Sequence, residues 1–171
     1  MKLRTAHLAR SLLLLSLLTP ALAGCKEDPV MLGVVGYNYT DRYIDRFSVD
    51  GAGGGNVNKS HGDSGGGSTV CCAVYDPNYP LPVEMRVEWM FGYQRGPDGR
   101  IVVPDEHHEA IAVLDGPVPE DPAYLEVHFM PDGSVQLRMT ADHSPPMLQI
   151  DRSDAPQSAL GGQPALPESV R

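Results

Sequence analysis

The sequence predicts an all-β or mainly β chain, folded as an antiparallel sandwich or open barrel with a flexible glycine-rich loop and a disordered C-terminal tail. Three observations carry that prediction. Val83, Met85, Val87, Trp89 and Phe91 fall on one side of residues 83–91, with Glu84, Arg86 and Glu88 on the other; this is the period of two of a strand buried on one face. Two further alternating runs flank Pro131-Asp132-Gly133-Ser134, a hairpin whose Asp-Gly pair favours a primed turn. No long amphipathic helix occurs. The short spacings between runs leave no room for repeated crossover helices, which argues against a doubly wound fold.

In chain order, Lys2 and Arg4 give a basic start, and Leu12–Leu18 form a short apolar run interrupted by Ser16. Leu22-Ala23-Gly24-Cys25 follows. This is the layout of a secretory signal peptide over residues 1–24, with an apolar run too short to span a bilayer. Its ending resembles the bacterial lipobox. The resemblance implies cleavage before Cys25, acylation of Cys25 with palmitate-type chains, and a lipidated tether over residues 25–29. Two or three acyl chains hold a protein on a membrane stably, whereas one does so marginally. By the sorting rule of such lipoproteins, Lys26 rather than Asp after the cysteine implies the periplasmic face of the outer membrane rather than the inner one.

The remaining runs divide a single mainly β domain over residues 30–143. Val30–Tyr39 is apolar and β-branched. Arg42–Val49 places Tyr43, Phe47 and Val49 on one face, with Asp45 interrupting it. Thr69–Val74, Ile101–Val103, Tyr124–Met130 and Val135–Met139 read as strands. His107–Leu114 reads as strand or helix. Residues 144–171, rich in Pro, Gly, Ala, Ser and Gln, read as a partly disordered tail.

Removing 24 residues from 171 leaves 147, enough for one domain with a core. The leader takes three of 13 basic residues and no acid, so 10 basic residues face 22 acids, a net charge of −12. That balance argues against nucleic acid and against a polybasic grip on anionic lipid. It permits steering of a basic partner. With Cys25 acylated, Cys71 and Cys72 remain. In an oxidising compartment they form either a strained vicinal disulfide or two reduced thiols on opposite faces of a strand.

Eight glycines crowd residues 51–67. They suit a flexible loop or a backbone nest for a ligand. Lys59-Ser60 follows Asn58 with no helix after it, so a phosphate loop is rejected. Gly62-Asp63-Ser64-Gly65-Gly66 resembles the nucleophile motif of trypsin-like proteases, but the upstream His and Asp that chemistry needs are missing. Asp142-His143, being adjacent, does not fit a GDS-type lipase. His107 and His108 are neighbours and point to opposite sides of a strand, so no metal site is assigned there. His128 reads as a cross-strand partner, and Trp89 as core.

Several segments together carry a family resemblance: Gly36-Tyr37-Asn38-Tyr39-Thr40, Phe47-Ser48-Val49, Gly53-Gly54-Gly55-Asn56, Gly65-Gly66-Gly67, Cys71-Cys72, Val87-Glu88-Trp89, His108-Glu109-Ala110 and Leu125–Gly133. Over roughly residues 30–135 the chain resembles a family of proteobacterial lipoproteins that share a domain of unknown function. Members of that family are often encoded beside antibacterial lipase effectors of type VI secretion systems. The resemblance implies an immunity protein, non-enzymatic and without cofactor or metal, that binds and inhibits a secreted phospholipase effector in the periplasm. The best sequence candidates for contacts are Gly53, Gly54, Gly55, His61 and Asp63 in the glycine-rich segment and Asp105, Glu106 and Glu109 in the acidic one. The alternatives are a structural or assembly lipoprotein of the envelope and a hydrolase using Ser64.

Overall fold

The computed structural model describes residues 26–153. The expected leader, Cys25 and the last part of the tail lie outside them. Ten strands, and no helix among the described residues, follow in order: β1 Val30–Asn38, β2 Ile44–Val49, β3 Ala52–Val57, β4 Val70–Tyr75, β5 Val83–Phe91, β6 Gln94–Arg95, β7 Ile101–Val103, β8 Glu106–Leu114, β9 Tyr124–Phe129 and β10 Val135–Thr140. They form two four-stranded sheets, β10-β9-β1-β4 and β3-β2-β5-β8, and a small β6-β7 ribbon. The sheets do not close into a barrel. They face each other across Leu32, Val34, Leu125, Val127 and Phe129 from the first sheet and Ile44, Phe47, Val49, Val87 and Trp89 from the second. Burying each such side chain stabilises the fold by about 1.5–3 kcal/mol.

The pairing differs from a purely antiparallel scheme at one place. β1 and β9 run parallel, from Gly33↔Tyr124 to Asn38↔Phe129. β1 is thereby central and covered on both faces. Leu32 and Val34 enter the main core, while Val35 and Tyr37 enter a second cluster with Tyr39. This accounts for its nearly continuous apolar run.

The strict alternation expected of Arg42–Val49 is also broken. Ile44, Phe47 and Val49 are the buried residues, and Tyr43 does not join them. The register slips between Ile44 and Arg46. A bulge there lets two residues three apart both point inward.

The glycine-rich segment divides. Ala52–Val57 is strand β3, paired with β2. The two are joined by Asp50-Gly51 with φ values of +48° and +83°, the positive pair that a type I′ hairpin turn requires. The Asp-Gly signal therefore works here rather than at residues 131–134. There only Gly133 is positive, at +84°, and its N–H donates to Met130 O at 3.0 Å. That is a type I turn ending on a left-handed glycine, so the expected primed turn is not formed.

The segment after residue 143 continues the packing through Ser153. Leu148 and Ile150 cover the second cluster on the outer face of the first sheet. No helix among the described residues is long and apolar enough to cross a membrane.

Candidate functional site: the loops at one pole of the sandwich

The registers give the sandwich two poles. At one, Val30 pairs with Tyr75 and Val83 with Leu114. The described chain starts there: Glu27 N–H donates to Asn78 Oδ1 at 3.2 Å, and Asn78 Nδ2 donates back to Glu27 O at 2.7 Å. At the other pole, Asn38 bridges to Lys59, Ile44 pairs with Phe91, and Phe91 with Glu106. β1 spans nine residues, so the poles lie roughly 25–30 Å apart.

Five of the sequence candidates belong at or near the second pole, on two opposite edges of the β3-β2-β5-β8 sheet. His61 and Asp63 sit in a tight turn: His61 N–H donates to Ser64 O at 2.8 Å, and Ser64 N–H to His61 O at 2.9 Å. Gly62 occupies the first corner at φ +50°, the position a type II′ turn reserves for glycine. Ser64 thus meets His61 through backbone bonds. Asp63 accepts from Gln149 at 2.6 Å. Across the pole, Asp105 accepts from Tyr93 N–H at 2.7 Å, and Glu106 contacts His108 Nε2 at 2.9 Å. Glu109 lies further along β8 and pairs with Arg86 at 3.3 Å.

The glycines behave differently from expectation. Gly53 is exposed, Gly55 is half-buried and Gly54 is buried. A Cβ on Gly54 would fall inside the Phe47 ring, so Gly54 makes room in the core for that ring. Gly53 and Glu109 lie on opposite edges of the same sheet, linked in register through Ser48 and Glu88. They are about 14 Å apart at the usual strand spacing. The structure does not gather these candidates into one patch.

Arg42, which composition and spacing did not single out, ties the connection before β2 to the β5–β8 edge. Its guanidinium donates to Glu106 Oε2 at 2.5 Å, to Gly92 O at 3.2 Å and to Pro104 O at 3.0 Å. It lies 5.0 Å over the Phe91 ring. Its side chain is 14% exposed and that of Glu106 54%, so the ion pair itself adds little and the bonds from the half-buried guanidinium to the two carbonyls carry the contribution. Arg42→Ala is expected to cost about 1–3 kcal/mol and to loosen residues 92–106. Chemical denaturation together with amide exchange in that segment checks this.

Behind the loops lies a buried polar cluster. His128 and Glu126 are both fully buried. The His128 ring stacks on Tyr37, with centroids 4.8 Å apart, and on Tyr39 at 5.9 Å. Tyr39 Oη accepts Met147 N–H at 2.7 Å and lies 3.1 Å from His128 Nδ1. With the hydroxyl donating to Nδ1, the ring proton sits on Nε2, which faces Glu126 Oε2 at 3.4 Å. Glu126 Oε1 accepts from Ser144 N–H at 2.9 Å and from Thr140 Oγ1 at 3.3 Å. Burial alone would raise the carboxyl of Glu126, but the nearby His128 ring and the hydrogen bond from Ser144 outweigh it and hold the group below its ordinary value.

Residues 144–152 close over this cluster. Tyr37 Oη donates to Ser144 O at 2.6 Å, and Arg152 Nε to Ser60 O at 3.0 Å. Sealed in this way, the cluster holds the closing segment and one wall of the His61 turn in place. The expected cross-strand role of His128 has a partner in Tyr37, its neighbour in register. Burial, with Glu126 nearby, pushes the Tyr37 phenol up to about 12. Tyr37 is therefore expected to stay protonated well above pH 10. A spectrophotometric alkaline titration of the protein against Tyr37→Phe should show the difference only at the top of the range.

Two other expectations meet their surroundings here. Cys71 and Cys72 are joined by a disulfide in β4. His108 stacks on Trp89 at 5.3 Å, while His107 is exposed.

A family model described as a protein of unknown function, DUF3304, matches residues 37–137, a stretch running from the end of β1 into β10. No curated protein matches the chain, and no solved structure does.

Proposed function

The chain belongs to the DUF3304 family, and from that premise we propose that it is a membrane-anchored immunity protein of the periplasm. In this reading it binds a type VI secretion phospholipase effector and blocks it, without chemistry of its own. The observation that carries the reading is the polarity of the sandwich. The chain enters at one pole, where Glu27 is fixed to Asn78. The exposed, charged turns at His61-Asp63 and Asp105-Glu106 stand at the opposite one.

The lipobox-like Leu22-Ala23-Gly24-Cys25 precedes Glu27 by only a few residues. An anchor there puts the first pole on the bilayer and turns the loop pole toward the periplasm. The toxin attacks membrane phospholipid, so the anchor raises the inhibitor's concentration where damage occurs. The acidic excess of the whole chain, a net charge of −9, favours fast capture of a basic surface on the effector. The rigid turns hold their side chains ready before contact and so reduce the ordering cost of binding.

The test mixes the processed protein with the lipase encoded beside its gene. A complex and loss of hydrolysis are expected. Asp63→Lys with Asp105→Lys should weaken the complex at least tenfold, whereas Glu84→Lys, near the membrane pole, should leave it unchanged. No complex and undiminished hydrolysis would overturn the reading.

A further inference from the structure

We propose that the cavity at the membrane pole holds one of the fatty acyl chains carried by Cys25, an inference that rests on the acylation put forward above. The cavity is about 280 Å³ in volume and is walled by Leu32, Ala73, Leu81, Met85, Leu114 and Leu125. Its only charged lining residue is Asp76. That carboxylate is already engaged by Asn78, through N–H at 2.9 Å and Nδ2 at 2.6 Å. Tyr79 and Val74, 68% and 60% exposed, stand at its mouth. Such an apolar surface between two sheets calls for an apolar occupant.

Three features point to the chain's own lipid. Asn78, which pins Glu27, lies in the segment that forms the cavity rim between Asp76 and Tyr79. Cys25 is two residues before Glu27, so its sulfur and amino group lie within about 7 Å along the backbone of that pin. The lining offers no Lys, Arg or His, so an intact phospholipid would find no partner for its phosphate, whereas a chain attached to Cys25 needs none. The volume lies just below the range of about 300–1,000 Å³ usual for small-molecule pockets. It suits part of a single hydrocarbon chain rather than a whole diacyl lipid. With one chain inside and the others in the bilayer, the pole is clamped to the membrane and the loop pole keeps a fixed outward direction.

Cells producing the full chain are fed a fatty acid with a photoreactive diazirine near its methyl end, irradiated, and the protein is digested and mapped. The expected product joins the Cys25 peptide, through the acyl chain, to peptides containing Ala73–Tyr79 or Leu81–Met85. Leu81→Asp should reduce that product at least tenfold while leaving the label on Cys25. Label on Cys25 without the internal link, or cavity peptides linked to phospholipid instead, would overturn the inference and leave the anchor intact. No label on Cys25 would remove the anchor and this inference together.

Discussion

Phe47→Ala is expected to lower the stability of the domain by about 3–5 kcal/mol, the cost of truncating a fully packed aromatic side chain. Phe47 is 4% exposed and meets Phe129 edge to face at 5.3 Å, a contact between the two sheets. Its ring also fills the space above two glycines. A Cβ on Gly36 would come within 2.8 Å of Phe47 Cε1 and 2.6 Å of Val57 Cγ2, and one on Gly54 would enter the ring itself. Gly54→Ala alone should therefore cost about 1–3 kcal/mol through overpacking. Gly54 has no positive φ, so nothing in the backbone opposes alanine there. In the Phe47→Ala background the space is vacant, and Gly54→Ala should be neutral or slightly stabilising, because alanine loses less chain entropy than glycine in a strand. Denaturant midpoints around this double-mutant cycle measure the coupling. Additive costs would show that Gly54 is not there to accommodate Phe47. If Gly54→Ala left stability unchanged but abolished effector binding, its expected role as a contact residue would be supported.

This pair also shows why the glycine-rich segment was hard to read. Glycine density reads as a flexible loop or a ligand nest, because a run without side chains offers no period to follow. Here the side chain that fills the space belongs to a neighbouring strand, so the pattern is visible only once β2 and β3 are paired. The Asp50-Gly51 turn was legible in principle, since Asp-Gly is the strongest short hairpin signal. It was absorbed into the glycine run that follows it. By contrast, Val83–Phe91 is readable in its central part, where Val87 and Trp89 are packed and Arg86 and Glu88 are wet, although Val83 at its start is exposed and Met90, on the other face, is buried. Tyr124–Phe129 alternates just as cleanly, yet both of its faces are buried. Its polar face, Glu126 and His128, looks solvent-bound in sequence and is covered only because residues 144–152 return over it. That return joins residues up to 113 apart in the chain, as between Arg152 and Tyr39, a separation no local pattern reports. At the loop pole the acidic residues are visible from composition, but the arginine that pairs with Glu106 is not. Arg42 sits in an irregular stretch before β2, and its partners lie 50 to 64 residues away.

Glu126→Ala is expected to cost about 1–3 kcal/mol, the range for a buried donor left without its acceptor. The loss has identifiable parts. Ser144 N–H would lose its acceptor at 2.9 Å and Thr140 Oγ1 its acceptor at 3.3 Å, while His128 Nε2, 3.4 Å from Glu126 without a hydrogen bond, would lose its nearest carboxylate. Amide protection should fall at Ser144 and Met147, where the returning segment is held, and protease should cut there first. The pH dependence gives a separate signature. The folded-state carboxyl of Glu126 titrates below its ordinary value, so the unfolded chain binds the extra proton first. Its stabilising contribution is therefore fully present above about pH 4.3, the ordinary value for glutamate, and is lost as pH falls through the lower folded value. Glu126→Gln keeps the shape and removes the titration, so it should be less stable than the unaltered protein at pH 7 and converge with it in acid. Denaturation midpoints for the two proteins between pH 7 and pH 3 provide the comparison. Parallel curves would mean that Glu126 is uncharged in the fold, and that the segment over the sheet is held by Tyr37, Tyr39 and Arg152 without it.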